Sequence, residues 1–392
     1  MGKKNQIPKY PHLRFPEFTD EWKEVKLGEV LSFEVGYPFS SDAFNEEGNG
    51  VRLIKNRDLK ADDRVVFYGG EYDAQYIVQN GDILIGMDGD FSPCLWKKGK
   101  ALLNQRVGRV NANQNTSRVF ILYVLVDSLK KIEHKTSSTT VKHLSHKDVE
   151  KIKASLPSLA EQKKIAALLS LIDERIEVQN AISNDLESLI VGFYNSVQYV
   201  TKAGWHKVRL RDLLTIREEQ NTSGSYEVYS VSVSRGIVNQ IVHLGRSFAA
   251  ANTSNYGVVH PGDLVYTKSP TGQFPFGIVK QNHNASPVAV SPLYGVYRPI
   301  SPEVGTLLHY FFLSPLRANN YLAPLIQKGA KNTINIRTDH FLDNVVLLPK
   351  DEKELRCIAD CLLALDERLS VEREYAEQLK QQKAYLLRQI FI

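Results

Sequence analysis

One stretch of this sequence occurs twice. "LLSLIDERIEVQ" at residues 168–179 is closely matched by "CLLALDERLSVE" at residues 361–372. The triplet that begins at Asp173 recurs at Asp366, an offset of 193 residues (366 − 173), which is nearly half of the 392-residue chain. An internal duplication is therefore the first hypothesis.

Other landmarks repeat in the same order. They are "WKEVKLGEVL" at 22–31 with "WHKVRLRDLL" at 205–214, "GDILI" at 81–85 with "GDLVY" at 262–266, and "SLPSLAEQKKIAALLSLIDER" from 155 with "LLPKDEKELRCIADCLLALDER" from 347. The offset stays between 181 and 193 residues. The sequence thus predicts a tandem duplication in which each copy is a mixed module followed by a long helix.

The two helical segments carry apolar residues at alternating spacings of four and three, which is typical of a coiled-coil seam. The predicted seam positions are Ile165, Leu169, Ile172, Ile176, Leu186, Ile190, Phe193, Ile358, Leu362, Leu365, Leu369, Leu379, Leu386 and Ile390. The same spacing continues through polar or small residues at Gln179, Ser183, Glu372 and Ala376. Buried polar residues at such positions can fix the register of a helix pair.

Helix start signals coincide in the two copies. Ser158 with Glu161, and Asp351 with Glu354, have the spacing of an N-cap followed by an acid three residues later. A helix of some 40 residues is about 60 Å long. Because the first helix leads from one module to the next, a second helix that packs along it must run back, which predicts an antiparallel pair with one module at each end.

The modules between the helices consist of short runs bounded by Gly, Pro, Asn and Asp, such as "YEVYSVSVS" and "GDLVY", with one helical stretch, "VFILYVLVDSLKKI". We therefore predict an α+β fold with an internal pseudo-two-fold duplication. Its segments are 1–155 (first module), 156–200 (central helix), 201–347 (second module) and 348–392 (distal helix).

Composition predicts a cytosolic protein. The hydrophobic content of 43% and the charged content of 24% are those of a soluble globular chain, and no apolar run approaches the length of a membrane span. The three cysteines do not form a disulfide framework. Cys357 and Cys361, four residues apart beside apolar helix positions, are expected to pack in the core or the seam rather than to bind a metal.

Positive charge is concentrated outside the helices. Segments 160–198 and 352–392 have net charges of −3 and −1, so the remainder carries +9 within a chain total of +5. Phosphate groups are the partner that this distribution suggests. At equivalent places in the two copies, "KKIEHKTSSTTVKHLSHK" (130–147) and "KGAKNTINIR" (328–337) combine basic residues with hydroxyls and amides that can reach phosphates and base edges.

Candidate DNA-contacting residues lie in these loops and in three shorter stretches. From the loops we select Ser137, Ser138, Thr139, Thr140, Lys142, His143, Lys328, Lys331, Asn332, Thr333, Asn335 and Arg337. From "LIKNRDL", "LNQRVGRV" and "TKSPTGQF" we select Lys55, Asn56, Arg57, Gln105, Arg106, Lys268, Ser269, Thr271 and Gln273. An ordinary solvated loop remains the alternative for each cluster.

Unlike modules alternate with repeated long helices in this chain, which also contains the motifs "LRFPEF", "GDILI", "LPSLAEQKKIA" and "IDERI". In these features the chain resembles the specificity (S) subunits of type I restriction-modification enzymes. The resemblance implies two target recognition domains, each reading one half of a split double-stranded DNA site. It also implies that the conserved helices set the spacing of the half-sites and dock two methyltransferase (M) subunits. In the second copy the "PSLAEQ" pattern has changed to "PKDEKEL".

The resemblance further implies that the catalytic chemistry belongs to other chains. S-adenosylmethionine is expected on the M subunit and DNA cleavage on a motor-nuclease (R) subunit, so this chain is expected to have no cofactor, metal, membrane contact or catalytic residue of its own. The sequence contains neither an Asn- or Asp-Pro-Pro-aromatic methyltransferase motif nor a nucleotide-binding P-loop. An antiparallel coiled-coil adaptor that binds proteins, and an enzyme with an unrecognised centre, are the competing hypotheses.

Overall fold

The computed structural model describes residues 11–135, 143–200, 204–241, 252–328 and 334–391. The chain forms two compact units. Unit 1 comprises Met1–Val178 and Tyr375–Ile392, and unit 2 comprises Gln179–Glu374. Both units contain helices and strands, as expected for an α+β protein.

Six α-helices lie in the described part of the chain. They are α1 (Arg118–Lys135), α2 (His146–Glu150), α3 (Leu159–Val200), α4 (Pro302–Leu313), α5 (Pro315–Leu322) and α6 (Glu352–Ile390). The long helices α3 and α6 have 42 and 39 residues. Each continues from one unit into the other, so each unit contains a portion of both.

The described strands of unit 1 form two antiparallel sheets and one mixed sheet. These strands are β1 (Lys23–Lys26), β2 (Leu31–Val35), β3 (Phe44–Asn45), β4 (Val51–Ile54), β5 (Val66–Tyr68), β6 (Ile77–Val78), β7 (Ile83–Gly86), β8 (Pro93–Leu95), β9 (Ala101–Leu103), β10 (Val107–Ala112) and β11 (Lys153–Leu156). The sheet orders are β1-β11, β2-β10-β7-β8 and β3-β5-β4-β9-β6, and only β4 and β9 pair in parallel within this unit's described strands.

The strands of unit 2 repeat part of this topology. They are β12 (Trp205–Arg209), β13 (Leu214–Ile216), β14 (Tyr229–Ser232), β15 (Gly236–Asn239), β16 (Gly257–Val259), β17 (Leu264–Thr267), β18 (Ile278–Gln281), β19 (Val288–Val290), β20 (Gly295–Pro299), β21 (Gln327–Lys328), β22 (Ile334–Asn335) and β23 (Val345–Pro349). The four-stranded order β13-β20-β17-β18 corresponds to β2-β10-β7-β8, and β12-β23 corresponds to β1-β11.

The repeated "GD" dipeptides form the same turn in both units. Gly81 and Gly262 have φ values of 91° and 87°, a region that favours glycine. Oδ2 of Asp82 accepts a hydrogen bond from the backbone N of Gln79 (2.9 Å), and Oδ2 of Asp263 accepts one from the backbone N of His260 (2.8 Å). The sequence match at these positions therefore reflects a common turn that leads into β7 and β17.

Both long helices contribute to each core. In unit 1, Ile165 and Leu169 of α3 and Ile390 of α6 lie in one buried cluster with Trp22 and Phe120. The two ends of the described chain also meet there, because the backbone N of Leu13 donates to the carbonyl of Gln389 (3.0 Å). Burial of these apolar side chains holds the C-terminal part of α6 against the first module, whose residues precede Ile390 by more than 200 positions.

In unit 2, Ile190 and Tyr194 of α3 cluster with Ile358, Leu362 and Leu369 of α6. All the predicted seam positions of both helices are buried or half-buried. The polar residues at the same spacing, Gln179, Ser183 and Glu372, are buried as well. Nε2 of Gln179 donates to the backbone carbonyl of Glu372 (3.3 Å) and to its carboxylate, so the buried polar groups have partners.

The expectation for the two cysteines of α6 is wrong. Cys357 and Cys361 are exposed, because Ile358 and Leu362, one position further along, occupy the buried stripe. One residue corresponds to about 100° around a helix. A spacing of four residues therefore marks a face of the helix without saying which of two adjacent faces is buried.

The helix starts differ in detail from the predicted pattern. Oγ of Ser158 accepts from the backbone N of Glu161 (3.4 Å), and Oδ1 of Asp351 accepts from the backbone N of Lys353 (3.0 Å), as N-caps do. The carboxylate of Glu161, only 1% exposed, instead binds two distant side chains. It accepts from Nε and Nη2 of Arg14 (both 2.8 Å) and from Nε1 of Trp22 (3.3 Å).

Candidate nucleic-acid interface

In unit 1, three predicted contact residues from separate stretches converge on Asp88, in the loop after β7. Nδ2 of Asn56 donates to the Asp88 carbonyl (2.6 Å). Nη1 of Arg106 lies 3.1 Å from Oδ2 of Asp88, and Nδ1 of His143 lies 2.9 Å from Oδ1. The structure therefore brings Asn56, Arg106 and His143 into one cluster, which we call the Asp88 cluster.

Backbone hydrogen bonds fix the Asp88 cluster. The N of Met87 donates to the carbonyl of Arg106 (3.0 Å), and the N of Leu144 donates to the carbonyl of Met87 (2.8 Å). The side chain of Leu144 is fully buried. Arg106 and His143 nevertheless remain 58% and 52% exposed, so the hydrogen-bonded backbone presents both polar side chains to solvent.

The other predicted residues of unit 1 lie on neighbouring segments. Nζ of Lys55 lies 4.9 Å from the centre of the Phe44 ring, an arrangement suited to a cation–π contact. Arg57 is half-exposed and donates through Nη2 to the carbonyl of Arg64 (3.2 Å). Gln105, next to Arg106, is exposed. Lys55 and Arg57 flank Asn56, so one short segment supplies three of the candidates.

Sequence reasoning missed two functional candidates here. Asp88 lies in "GMDGDF", outside the stretches that the sequence analysis selects. Tyr37 is 47% exposed and lies 5.2 Å, between ring centres, from both Phe39 and Tyr76. Its carbonyl accepts from the backbone N of Gln105 (3.1 Å), which places it beside the predicted residues. An exposed tyrosine flanked by aromatic residues in "GYPF" is the signal that could have identified it.

In unit 2, two predicted basic residues face one carboxylate. Arg337 donates to Asp339 through Nε (3.2 Å) and Nη2 (3.0 Å). Lys268 follows β17, as Asp88 follows β7. Burial lowers the pKa of Lys268, and the charge of Asp339 opposes that shift. Lys268 and Arg337 are therefore grouped at the loop that corresponds to the Asp88 loop.

The rest of the "TKSPTGQF" segment forms a tight turn. The backbone N–H and carbonyl groups of Thr271 and Phe274 are hydrogen-bonded to each other (3.0 and 2.9 Å). The side chains of Ser269, Thr271 and Gln273 are exposed, and the carbonyl of Gln273 accepts from Nδ2 of Asn319 (3.1 Å). This turn leaves three polar side chains directed to solvent beside Lys268.

The remaining predicted contact residues cannot be placed in the same way. Ser137, Ser138, Thr139, Thr140, Lys142, Lys331, Asn332 and Thr333 lie outside the described residues. Lys328 and Asn335 are described through the backbone of β21 and β22, where Lys328 pairs with Ile334 and Gln327 with Asn335.

The described residues contain no group of three or more His, Cys, Asp or Glu side chains that could hold a metal ion. Of the helices that the structure describes, none combines the length and apolar character needed to cross a membrane.

A family model described as the type I restriction modification DNA specificity domain matches residues 19–188. The match covers 170 of the 392 residues. The matched segment includes the Asp88 cluster and the start of α3. The family resemblance predicted from the sequence is thus confirmed.

Two curated relatives are named specificity subunits of type I restriction enzymes. The chain is 30% identical over 249 residues to the type I restriction enzyme EcoBI specificity subunit of Escherichia coli, which covers 62% of this chain and 50% of the relative. It is 22% identical over 422 residues to the type I restriction enzyme MjaVIII specificity subunit of Methanocaldococcus jannaschii. That match covers 96% of this chain and 92% of the relative. The chain spans about half the length of the E. coli relative.

One solved structure has a similar fold. The S subunit of a type I restriction-modification system from M. genitalium superposes with a TM-score of 0.64 at 14% identity, covering 98% of this chain and 99% of that one. This similarity concerns the fold alone.

Proposed function

We propose that this protein is the non-catalytic, DNA-binding specificity subunit of a cytoplasmic type I restriction-modification system. The observation that carries the proposal is the Asp88 cluster, within the segment that matches the DNA specificity domain. Asn56 and Arg106 have side chains of the kinds that bind adenine and guanine edges in the major groove. Asp88 orients Arg106 and His143 before DNA arrives, which reduces the entropy lost on binding.

The equivalent loops of the two units support the proposal that the protein recognises a bipartite DNA site. The loop after β7 carries Asp88, and the loop after β17 carries Lys268, at matching positions of sheets that share one strand order. Each unit therefore has its own polar-basic loop on a similar framework. In this proposal each loop belongs to a target recognition domain that reads one half-site, and the two domains arose by duplication.

An antiparallel helix pair is proposed to set the distance between the half-sites. Residues of α3 with higher numbers contact residues of α6 with lower numbers. Asp173 pairs with Lys383, Arg175 with Tyr375 and Gln179 with Glu372. That order is expected of antiparallel helices. A helix of 42 residues is about 63 Å long, close to two turns of B-DNA at about 34 Å each.

Exposed apolar side chains on the long helices support the docking of methyltransferase subunits. Leu171, Val178, Ile182 and Leu189 of α3 are exposed at spacings of seven, four and seven residues. Apolar residues at such spacing are suited to packing against another helix. We assign them to two M subunits, which hold S-adenosylmethionine and methylate adenine, while R subunits join in the complete complex.

The test is to co-express this chain with the methyltransferase encoded beside it and to map N6-methyladenine across the host genome. A bipartite motif with a fixed gap, methylated once on each strand, is the expected result. A contiguous motif would mean that one unit alone reads DNA. Absence of any motif, with both proteins soluble and associated, would instead favour the protein-binding adaptor. Arg106→Ala, assayed in parallel, should alter only the half-site read by unit 1.

A further inference from the structure

Unit 2 contains a cavity of about 540 Å³ that the proposed DNA contacts do not use. Its walls are the β14–β15 hairpin, the end of β18, α4 and the unit 2 portions of α3 and α6. This volume lies within the range of small-molecule binding sites. The lining is unusually basic, with Lys280, His283, His309, Arg235 and Arg373 around it.

Lys280 is the central observation. Its side chain is 6% exposed and lines the cavity, yet it makes no hydrogen bond or ion pair with any described residue. Burial lowers the pKa of Lys280 to about 8; Asp366 opposes this shift, and Arg373 adds to it. The ammonium group is thus still largely charged at neutral pH, and a charge withdrawn from bulk water without an ion-pair partner is costly. An anion in the cavity would remove that cost.

His309 supplies a neutral donor beside the lysine. Its Nδ1 accepts from the backbone N of Gln281 (3.0 Å), so the proton of the neutral ring lies on Nε2. Burial, with Lys280 and His283 nearby, holds the pKa of His309 well below its usual range. The neutral ring therefore offers an N–H group at physiological pH without adding a second buried charge.

The acidic groups of the cavity leave a net positive charge. Its lining includes two carboxylates, Glu187 and Asp366. Glu187 is paired with Arg373. The charge of Asp366 acts on Lys280. Arg235 is exposed on the β14–β15 hairpin that lines the cavity. The remaining charge favours an anion over a cation.

We propose that this cavity binds a small molecule bearing a phosphate or a similar tetrahedral oxyanion, with Lys280 as its charge partner and His309 as a neutral donor. Arg235 lies where it can contact the ligand on entry. The phosphate backbone of duplex DNA is a poorer candidate, because a lysine that is 6% exposed is inaccessible to a rod of that width. The inference does not depend on the proposed DNA-binding function.

The test is equilibrium dialysis of the full-length chain with radiolabelled sulfate, whose charge is constant across neutral and alkaline pH. We expect saturable binding of one sulfate per chain, competed by inorganic phosphate and by adenosine monophosphate. Affinity should fall at least tenfold between about pH 7 and about pH 9.5, because Lys280 loses its proton over that range.

The variant Lys280→Gln should lose this binding, whereas the control Lys207→Gln, at an exposed position of β12, should retain it. If Lys280→Gln fails to fold, Arg235→Gln at the exposed mouth should still weaken binding several-fold. The proposal is overturned if the wild-type chain binds none of the three anions saturably. Undiminished binding by folded Lys280→Gln, or competition by duplex DNA alone, would overturn it as well.

Discussion

The buried carboxylate of Glu161 should dominate the stability of unit 1. It accepts three hydrogen bonds, two from Arg14 and one from Trp22, and the Arg14 side chain is only 12% exposed. Glu161→Ala removes the buried carboxylate that accepts hydrogen bonds from both the Arg14 guanidinium and the Trp22 indole. Removing one partner of a buried pair costs about 3–5 kcal/mol. With a urea dependence of about 2–3 kcal/mol per M, the midpoint of unfolding should fall by roughly 1–2.5 M.

The assay is urea unfolding followed by tryptophan fluorescence in a Trp205→Phe background, so that the signal comes from Trp22 and Trp96 of unit 1. Glu24→Ala is the matched control, since Glu24 is an exposed acid of the same unit that pairs with Lys153 at 2.8 Å. An exposed pair contributes about 0–1 kcal/mol. Equal midpoint shifts for Glu161→Ala and Glu24→Ala would refute the conclusion that the buried carboxylate of Glu161 dominates the stability of unit 1.

Three further predictions concern recognition, packing and spacing. Arg106→Ala should weaken binding of the methylated motif by about 1–3 kcal/mol in fluorescence anisotropy, with Lys153→Ala as a surface control; equal losses would mean that Arg106 supplies only general charge. Leu362→Ala, at a fully buried position, should destabilise unit 2 by about 2–5 kcal/mol in thermal unfolding, whereas Leu363→Ala, 39% exposed, should have little effect. Deleting one heptad from α3 shortens the helix by about 10 Å and should change or abolish the tolerated gap between the half-sites, while both half-site sequences stay the same. A changed half-site sequence would contradict the proposal that the helix pair sets this gap.

Local patterns in the sequence predicted local structure well. The repeated "GD" dipeptides form one turn in both units because the left-handed backbone at Gly81 and Gly262 restricts the residue type. The stripe of apolar residues in α3 and α6 is buried because its 4-3 spacing keeps one side of a helix in register with a core. The error at Cys357 and Cys361 has the same origin, since their spacing of four residues also marks one face of the helix, about 100° away from the buried one.

Long-range partners could not be predicted from a single sequence. Glu161 has the spacing of a capping-box acid, but its carboxylate binds Arg14, 147 residues away in the chain. Likewise Asn56, Arg106 and His143 were selected separately for their chemistry. Their meeting at Asp88 depends on strand pairings and on backbone contacts across the loop, which leave no local signature in the sequence.

The discontinuity of unit 1 affects how the protein is made. The ribosome delivers Met1–Val178 first, but the core of this unit also requires Ile390, and Leu13 is hydrogen-bonded to Gln389. At about 5–20 residues per second, the 214 residues from 179 to 392 take roughly 10–40 s to synthesise. During that interval Ile165 and Leu169 lack their α6 partner, while unit 2, a continuous segment, is completed. The first unit to be translated is therefore the last to acquire its full core, and until α6 is complete its core lacks the contribution of Ile390.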